Sequence, residues 1–474
     1  MATRRIWRIL VCLAALAPSS LRSGLAQAEQ PPAGEAVAFA LRDLYARALG
    51  EQGGVPFLRG LAEGIGARPA GSPAYARAVD YAADTLAALG LAVRRQPVAI
   101  ARPWSGAGVA AATAYLPDGR RPLRVLALGG SRAAAPGAIT APLVELHSLD
   151  EADSVGAAGG LAGAIAFYNR PVDPARVNTF DAYGGAVDQR VYGPARAAAH
   201  GAVGALVRSM TPNLDRLPHT GITVFPDTAA AIPALAVSTL DAEALARALD
   251  AADGVPVEVS LSGPGRYGAP ATDHNVLADW RGAVAPDSVI LVGAHLDSWH
   301  VGQGAHDDGA GVAHVVEAVR LLRSAGYAPR HTIRVALFAN EEGGVDGGRA
   351  YWDLTDEESV AHVAAIESDR GGFTPRGFTV DAPAERAAAV AAFTARARPL
   401  LEPYGVSFRK GGGGADIAGL RERGAVLFGL DVDAQRYFDL HHTERDVLAA
   451  VHPREFELGA AGIAALVMLL DAGL

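Results

Sequence analysis

The residues best suited to chemistry lie in the segment 290–311 and in three short clusters further along the chain. The segment places His295 and Asp297 at the end of an apolar run and Asp307 in an Asp-Asp-Gly turn. The later clusters are Glu341–Glu342, Glu367–Ser368–Asp369 and His441–His442. Imidazole and carboxylate groups are ligands of hydrolytic metal ions, and two such ions share a bridging ligand. The set predicts a site for two metal ions, with Asp307 as the candidate bridge.

These clusters must be brought together by the elements that precede them. His295, Glu341 and Asp369 each follow an apolar run that is typical of a strand. In open α/β sheets, ligands bind beyond the carboxyl ends of the strands. A helix with an apolar face, predicted from Gly311 to Arg323, begins just after Asp307 and so beside the same edge. We therefore expect the candidate residues to converge on one edge of a sheet.

Roles within the set follow partly from spacing. Asp297 can orient His295 by accepting the second N–H of its imidazole, as acids beside metal ligands commonly do. Glu341 and Glu342 are adjacent and face different ways, so one can bind metal while the other acts as a base. Each feature alone also fits an ordinary structural role, such as a helix N-cap for the Asp-Asp-Gly turn. Their occurrence together and in order favours the metal site.

The remaining histidines lack this support. Seven have no acid at ligand spacing and are predicted to be structural or surface groups: His147, His200, His219, His314, His331, His362 and His452. His274 precedes a strand and is expected to pack it. His300 and His306 flank the site in sequence. For each of them, contact with a substrate and a position in a solvated loop are both compatible with the sequence.

Length and composition indicate a two-domain protein. The chain has 474 residues, of which 50% are hydrophobic and 20% charged. Single cores rarely grow beyond roughly 250–300 residues, so more than one core is expected. The formal charge of -9 and the isoelectric point near 5.8 argue against a nucleic-acid or anionic-membrane partner.

The N-terminus resembles a secretory signal peptide spanning 1–28. Arginines at 4, 5 and 8 precede an apolar run from Ile9 to Ala17, and small residues follow up to Ala28. The run is shorter than the ~20 residues of a membrane span, so a secreted or periplasmic protein with no membrane span is predicted. Cys12 is the only cysteine and lies in this segment. The mature chain would therefore bind metal through His, Asp and Glu alone.

Composition changes divide the rest of the chain. Ser72-Pro73 predicts the start of a helix that ends near Gly90, and a strand from Leu91 to Ile100 follows. Short apolar runs broken by glycine, one of them spanning Leu123–Leu128, mark 103–270 as a smaller α/β domain inserted into a larger one made of 29–102 and 271–474. Strands and helices alternate after 270, which predicts an α/β fold with a doubly wound, mostly parallel sheet.

The motifs HLDSWHVGQGAHDDGAG, ANEEGGV, IESDRGG, GGGGADI and HHTERD resemble those of secreted dizinc exopeptidases of the carboxypeptidase Q type. AIAFYNR, GAVGALVRSM and PHTG, within 103–270, resemble the protease-associated domain inserted in that family. The resemblance covers nearly the whole mature chain. It implies the zinc exopeptidase fold, a peptide substrate and two zinc ions, and a homodimer is compatible with it.

The resemblance also implies residue roles. His295 and Asp369 would bind one zinc, Glu342 and His442 would bind the other, Asp307 would bridge them and Glu341 would be the general base. His442 is preferred to His441 because the last ligand of the family directly precedes Ser or Thr, here Thr443. A cis peptide between Asp307 and Asp308 is implied as well. Asp416 and Tyr437 resemble substrate-pocket residues, whereas His300, His306 and Val447 depart from the family pattern.

Three functions are compatible with these residues. The first is a zinc-dependent, carboxypeptidase Q-like exopeptidase that hydrolyses short peptides or dipeptides with a metal-activated water. The second is an aminopeptidase on the same scaffold. The third, from another class, is a non-catalytic binding protein of the transferrin-receptor type, which the presence of every expected ligand makes improbable.

Overall fold

The computed structural model describes residues 33–134, 137–226 and 231–473. The proposed signal peptide, 1–28, lies outside this part of the chain. The described strands are β1 (Ala92–Ile100), β2 (Trp104–Ser105), β3 (Ala111–Leu116), β4 (Gly119–Leu123), β5 (Val125–Ala127), β6 (Ile139–Leu146), β7 (Ile165–Tyr168), β8 (Gly204–Arg208), β9 (Ala234–Val237), β10 (Glu258–Ser262), β11 (Arg266–Tyr267), β12 (Ala271–Trp280), β13 (Ala285–His295), β14 (His331–Phe338), β15 (Ala361–Glu367), β16 (Pro375–Asp381), β17 (Ser407–Lys410) and β18 (Val426–Val432).

The described α-helices are α1 (Ala33–Glu51), α2 (Gly54–Arg59), α3 (Pro73–Ala88), α4 (Leu149–Ala157), α5 (Thr179–Gly184), α6 (Asp188–Val191), α7 (Gly193–Ala199), α8 (Thr239–Asp250), α9 (Gly311–Ser324), α10 (Glu341–Gly344), α11 (Asp346–Glu358), α12 (Ala387–Leu401) and α13 (Pro453–Gly473). The sequence signals at the start of α3 are confirmed, because the Ser72 side chain accepts a hydrogen bond from the Tyr75 N–H and Pro73 is the first helical residue.

The larger sheet has the strand order β1-β12-β14-β13-β15-β18-β16-β17. Its centre, β14-β13-β15-β18, is parallel, whereas β12 and β1 extend one side in antiparallel pairing and β16 pairs antiparallel with β18. Parallel neighbours end on the same side, so the carboxyl ends of β13, β14 and β15 lie together.

Helices cover both faces of this sheet. On β13, Ile290 and Val292 join the core formed with α9, whereas Leu291 joins the opposite core with Tyr351 of α11. This alternation follows from the two-residue period of a strand. Helix α13 is long and apolar enough to span a membrane, but 78% of that stretch is buried inside the protein. It packs against α9 and α1 as a core helix.

A second sheet of eight strands lies between 111 and 262, in the order β4-β3-β10-β6-β7-β8-β9-β5. It has its own apolar cores. The short pair β2 and β11 joins Trp104 to Tyr267, where the chain passes between the two sheets. The apolar run Leu123–Leu128 includes the end of β4 and the whole of β5, which pair with different strands. A domain division at 103 and 270 stays a prediction.

Candidate metal centre

His295 and Asp369 meet at the carboxyl edge of the parallel strands. His295 is the last residue of β13, and Asp369 lies two residues beyond β15, which pairs with β13. The Nε2 atom of His295 lies 3.2 Å from Oδ1 of Asp307 and 3.5 Å from Oδ1 of Asp369. Three of the predicted ligands are therefore adjacent.

His442 and Glu342 meet on the other side of Asp307. The Nε2 atom of His442 lies 3.1 Å from Oδ2 of Asp307 and 3.2 Å from Oε2 of Glu342. The two carboxylate oxygens of Asp307 thus face different histidines. This is the arrangement that a bridging carboxylate between two cations requires.

The ligand atoms fit metal binding on their own chemistry. Tetrahedral zinc with bonds of ~2.0–2.1 Å separates its ligand atoms by ~3.3 Å, close to the distances observed. The Nδ1 atom of His442 must carry a proton, because it lies 3.1 Å from the Thr220 carbonyl, which can only accept. The Nε2 atom of His442 faces carboxylate oxygens of Asp307 and Glu342, and although burial lowers the pKa of His442, these two acids raise it well above its usual range. A histidine nitrogen between two carboxylates favours positive charge at this point, which a metal ion would supply.

Carboxylate oxygens without hydrogen-bond partners also indicate a metal site. Oδ2 of Asp307 and Oε1 of Glu342 are buried and have no hydrogen-bond partner. Burial alone would lower the pKa of His295, but the carboxylates of Asp297, Asp307 and Asp369 raise that pKa well above its usual range. The clustered acids favour positive charge nearby, which a metal ion would supply.

Backbone contacts hold Asp307 in place. The peptide bond between Asp307 and Asp308 is cis, as the family resemblance implied. The Asp446 carboxylate accepts from the N–H groups of His306 and Asp307, at 2.6 and 3.1 Å. Asp308 accepts from the Gly311 N–H at the start of α9 and from the His295 N–H at the end of β13. These acids fasten the turn to the two elements beside it.

Asp297 holds both glutamates. Its two carboxylate oxygens accept from the N–H groups of Glu341 and Glu342, at 3.0 and 3.3 Å. The Nδ1 atom of His295 lies 3.5 Å from Oδ1 of Asp297, an ion-pair distance, and the orienting role of Asp297 toward this imidazole stays a prediction. Sequence spacing alone did not indicate the contacts with the glutamate backbone.

The two glutamates differ in their surroundings. Burial, followed by the charge of Asp307, raises the pKa of Glu342 to about 7. Burial also raises the pKa of Glu341 well above its usual range, and nearby acids add to the effect. Glu342 contacts His442, whereas Glu341 lines the cavity without such an ion pair among the described residues. The geometry agrees with one ligand and one base.

His441 lies beside the ligands but further from Asp307. Its Nε2 atom is 3.7 Å from Oδ2 of Asp307, and its ring stacks on His442 with centroids 3.5 Å apart. Burial and the charge of His442 lower the pKa of His441 well below its usual range. The shorter distances of His442 agree with its preference over His441.

The substrate-pocket candidates occupy different places. Tyr437 lines the cavity and lies 5.0 Å from His441 between ring centroids. Asp416 is fully buried, neither of its carboxylate oxygens has a hydrogen-bond partner, and it lines neither cavity at the site. Burial and the charge of Glu367 raise the pKa of Asp416 well above its usual range. A substrate role for either residue stays a prediction.

His300 and His306, which flank the site in sequence, have different surroundings in the structure. His306 is buried, stacks on Phe373 at 4.3 Å and accepts a hydrogen bond from the Gly372 N–H, so a solvated loop role is wrong for it. His300 packs edge-on to Trp104 at 5.3 Å and lines a cavity beside the metal site. Burial lowers the pKa of both histidines to about 4.

Residues from the second sheet region complete the site, and the sequence did not predict this. The Nδ1 atom of His219 lies 2.8 Å from the His441 carbonyl, and the Thr220 N–H donates to the His442 carbonyl at 3.0 Å. His219, predicted to be a structural or surface group, is buried beside the ligands. The only sequence signal was the PHTG motif.

Two cavities open at the site. The first, called here the metal cavity, has a volume of about 370 Å³ and is lined by the predicted ligands Asp307, Glu342, Asp369 and His442 together with Glu341. The second, called here the apolar cavity, has a volume of about 270 Å³ and is lined mainly by apolar and aromatic groups, among them Trp104, Ile222, Phe225 and Trp299. Both reach Glu342 and Ile222.

Comparison with known proteins agrees with this geometry. The family model for peptidase family M28 matches residues 275–467. Carboxypeptidase Q of Bos taurus is 31% identical to this chain over 404 residues, which cover 85% of the chain and 81% of the relative. The chain belongs to peptidase family M28.

Solved structures extend the likeness. A peptidase M28 precursor from Shewanella amazonensis SB2B is 32% identical, with a TM-score of 0.85 over 93% of this chain and 97% of the other. The aminopeptidase from Aneurinibacillus sp. strain AM-1, 20% identical, shares the fold with a TM-score of 0.62 over 90% of this chain and 95% of its own. The predicted α/β fold class is confirmed. Family M28 membership makes the protein a metallopeptidase, and the donor set supports zinc as its cofactor.

Proposed function

We propose that this family M28 peptidase is a two-zinc, carboxypeptidase Q-like exopeptidase that hydrolyses dipeptides or short peptides. The observation that carries the proposal is the position of Asp307, whose two oxygens face His295 and His442 at 3.2 and 3.1 Å. His295 and Asp369 are assigned to one zinc, and Glu342 and His442 to the other. The relatedness to carboxypeptidase Q supports the choice of reaction.

Bound zinc would supply a Lewis acid for the scissile carbonyl and a lowered pKa for the attacking water. Glu341 is the proposed general base: it accepts the proton of that water and delivers it to the leaving amine. Asp297 fixes Glu341 through its backbone N–H, and its carboxylate also holds the N–H of Glu342. Asp297 thereby fixes the backbone of both the proposed base and a proposed metal ligand.

The surroundings of the site support an exopeptidase rather than an endopeptidase. His219 contacts the His441 backbone, and Thr220 contacts the His442 ring. The walls of the metal cavity include Phe180, Tyr183 and Tyr437. The relatedness to carboxypeptidase Q supports the same choice. We propose that 103–270 is a protease-associated domain that limits access to short substrates, and that 1–28 directs the protein to a secreted or periplasmic location.

The non-catalytic, transferrin-receptor-like alternative is not supported, because the chain is a family M28 metallopeptidase with its candidate ligands in contact. The aminopeptidase alternative differs only in which free terminus is recognised. Product analysis on a small dipeptide library, with zinc present and then removed by chelation, tests the proposal. We expect chelator-sensitive hydrolysis that zinc restores, and hydrolysis indifferent to chelation would contradict the proposal.

A further inference from the structure

The apolar cavity opens beside the metal site and is walled by both sheet regions. Ile222 and Phe225 come from the segment between β8 and β9, whereas Ile100 ends β1 and Trp299 lies in the loop after β13. The cavity also reaches Glu342, a proposed zinc ligand that lines the metal cavity as well. A peptide bond held at the zinc ions would therefore place a neighbouring side chain next to the apolar cavity.

The aromatic walls of this cavity are fixed by hydrogen bonds within the protein. The Trp104 indole N–H donates to the Ser131 carbonyl at 2.8 Å, and the Tyr267 hydroxyl donates to the Gly130 carbonyl at 2.9 Å. Both acceptors belong to the segment that follows β5. Walls that are rigid beforehand reduce the conformational entropy that is lost when a side chain packs against them.

A glycine in the same segment gives Trp299 its place in the wall. A Cβ atom at Gly129 would lie 2.1 Å from Cη2 of Trp299, so a larger residue at this position would displace the indole. The Nε1 atom of Trp299 lies 3.1 Å from Nε2 of His442, which is assigned to the same zinc ion as Glu342. One indole thus connects the apolar cavity with the metal site.

The cavity has the size and polarity for an uncharged ring. Its volume is about 270 Å³, and apolar cavities of ~150 Å³ are already large enough to bind benzene. His300 packs edge-on to Trp104, and burial lowers the pKa of His300 to about 4, which keeps the imidazole neutral at pH 7. Arg102 also lines the cavity, with Cζ 4.1 Å from the Tyr267 ring centroid. A guanidinium beside a neutral imidazole disfavours a cationic side chain.

The acids in the lining are already engaged. Asp297 accepts from two backbone N–H groups, and Asp346 accepts from the Asn340 amide at 2.7 Å. Glu342 lies 3.2 Å from Nε2 of His442 and is assigned to zinc. Recognition in this cavity therefore depends on its rings rather than on an ion pair.

We propose that the apolar cavity binds a large aromatic or aliphatic side chain of the substrate, on one side of the scissile bond, and thereby sets the side-chain preference of the enzyme. This inference rests on the proposed function of the metal site. Binding pockets of this kind are lined mainly by apolar and aromatic groups with few polar ones. A phenylalanine ring in the cavity would leave water and pack against Trp104 and Trp299.

The experiment measures hydrolysis of Ala-Ala, Phe-Ala, Ala-Phe, Lys-Ala and Ala-Lys by the zinc-loaded protein. One phenylalanine dipeptide should exceed Ala-Ala by about 10-fold to 100-fold in kcat/KM, because the ring is buried in the transition state, and its lysine counterpart should gain nothing. Phe225→Ala removes part of the wall, and His300→Asp puts a carboxylate into it. Both variants should lose most of that gain, for that dipeptide only, and keep their activity on Ala-Ala.

Phe39→Ala and His452→Asp are the matched controls, because both residues are exposed, one in α1 and the other just before α13. They should behave as the wild-type protein does, with the same zinc content and melting temperature in all five proteins. An equal loss on Ala-Ala, or a melting temperature lowered by Phe225→Ala and His300→Asp alone, would indicate a structural role and overturn the inference. Preference for a lysine dipeptide would assign the cavity to another class of side chain and overturn it as well.

A binding measurement separates this inference from the proposed function. Glu341→Gln should bind dipeptides without consuming them, so one phenylalanine dipeptide should raise its melting temperature more than Ala-Ala does, and Phe225→Ala in the same protein should abolish the difference. If this binding is observed but the wild-type protein hydrolyses none of the dipeptides, the proposed reaction fails while the assignment of the cavity stands. If the wild-type protein hydrolyses all five equally, the reaction stands and the inference fails.

Discussion

The Thr220 carbonyl accepts a hydrogen bond from Nδ1 of His442 at 3.1 Å, although 222 residues separate the two. The Thr220 N–H donates back to the His442 carbonyl. This pair of contacts fixes both the ring orientation and the tautomer of a predicted zinc ligand. The segment that carries Thr220 is itself tied down, because the Thr220 hydroxyl donates to the Ala127 carbonyl at 2.6 Å.

Thr220→Ala should weaken zinc binding at the His442 side of the site. The substitution removes the tie to Ala127 and loosens the carbonyl that orients His442. Loss of a group that orients a metal ligand typically costs about 10-fold to 100-fold in affinity. Competition with a chelator measures the affinity, and Thr394→Ala is the control, because the Thr394 hydroxyl likewise donates to a backbone carbonyl, that of Ala391 in α12. Equal zinc affinity in Thr220→Ala and the wild-type protein would show that the contact does not support the metal.

Glu341→Gln should keep both zinc ions and lose most of the activity. The amide preserves the shape of the side chain and its backbone bond to Asp297, but it cannot accept the proton of the attacking water. We expect kcat to fall by about 100-fold to 10,000-fold. Zinc content and dipeptide turnover are measured on the same sample, with the exposed Glu357→Gln as control. Near-normal turnover would mean that another group is the base.

Removing the proposed bridging ligand should lower the zinc content more than removing a ligand of one zinc ion alone. Asp307→Ala takes an oxygen from both histidines, so both metals should be lost, whereas Asp369→Ala takes one only from the His295 side. Elemental analysis should find almost no zinc in the first variant and about one ion per chain in the second. A single ion in the wild-type protein, or equal losses in the two variants, would contradict the two-zinc arrangement.

The sequence predicted the residues that follow parallel strands, because a period of two and a fixed sheet edge are local and general rules. His295, Glu342 and Asp369 converge for that reason. Helix α3 was predicted from its cap for a similar reason, since Ser72 and Pro73 act on the turn in which they lie. Asp307 needed a further step, the chemical requirement for a bridging carboxylate.

Contacts between distant segments were not predictable. His219 and Thr220 approach the two histidines from the segment between β8 and β9 of the second sheet region, and the sequence placed neither at the site. Their positions depend on how that region packs against the larger sheet, which no local pattern encodes. Asp297 shows the same limit on a smaller scale, because its contacts with the N–H groups of Glu341 and Glu342 depend on where α10 begins.

Glu457 should make the free energy of unfolding fall as pH rises, whereas an acid paired with a cation makes it rise. It is fully buried in α13, accepts from the Gly54 N–H at 3.0 Å and leaves Oε2 without a partner. Burial, followed by the charge of Glu317, raises the pKa of Glu457 from 4.5 to about 8. A raised pKa means that the folded state binds the proton more tightly than the unfolded state. The protonated acid therefore stabilises the fold at low pH, and this contribution is lost as pH rises toward about 8.

Glu457→Gln mimics the protonated form and should remove that dependence. Relative to the variant, the wild-type protein should lose up to about 1.4 kcal/mol of unfolding free energy per pH unit between about pH 5 and pH 8. Denaturant unfolding of both proteins at several pH values measures the difference, and the exposed Glu385→Gln should track the wild-type curve. Parallel curves for Glu457→Gln and the wild-type protein would show that Glu457 titrates at its ordinary pKa in the folded protein.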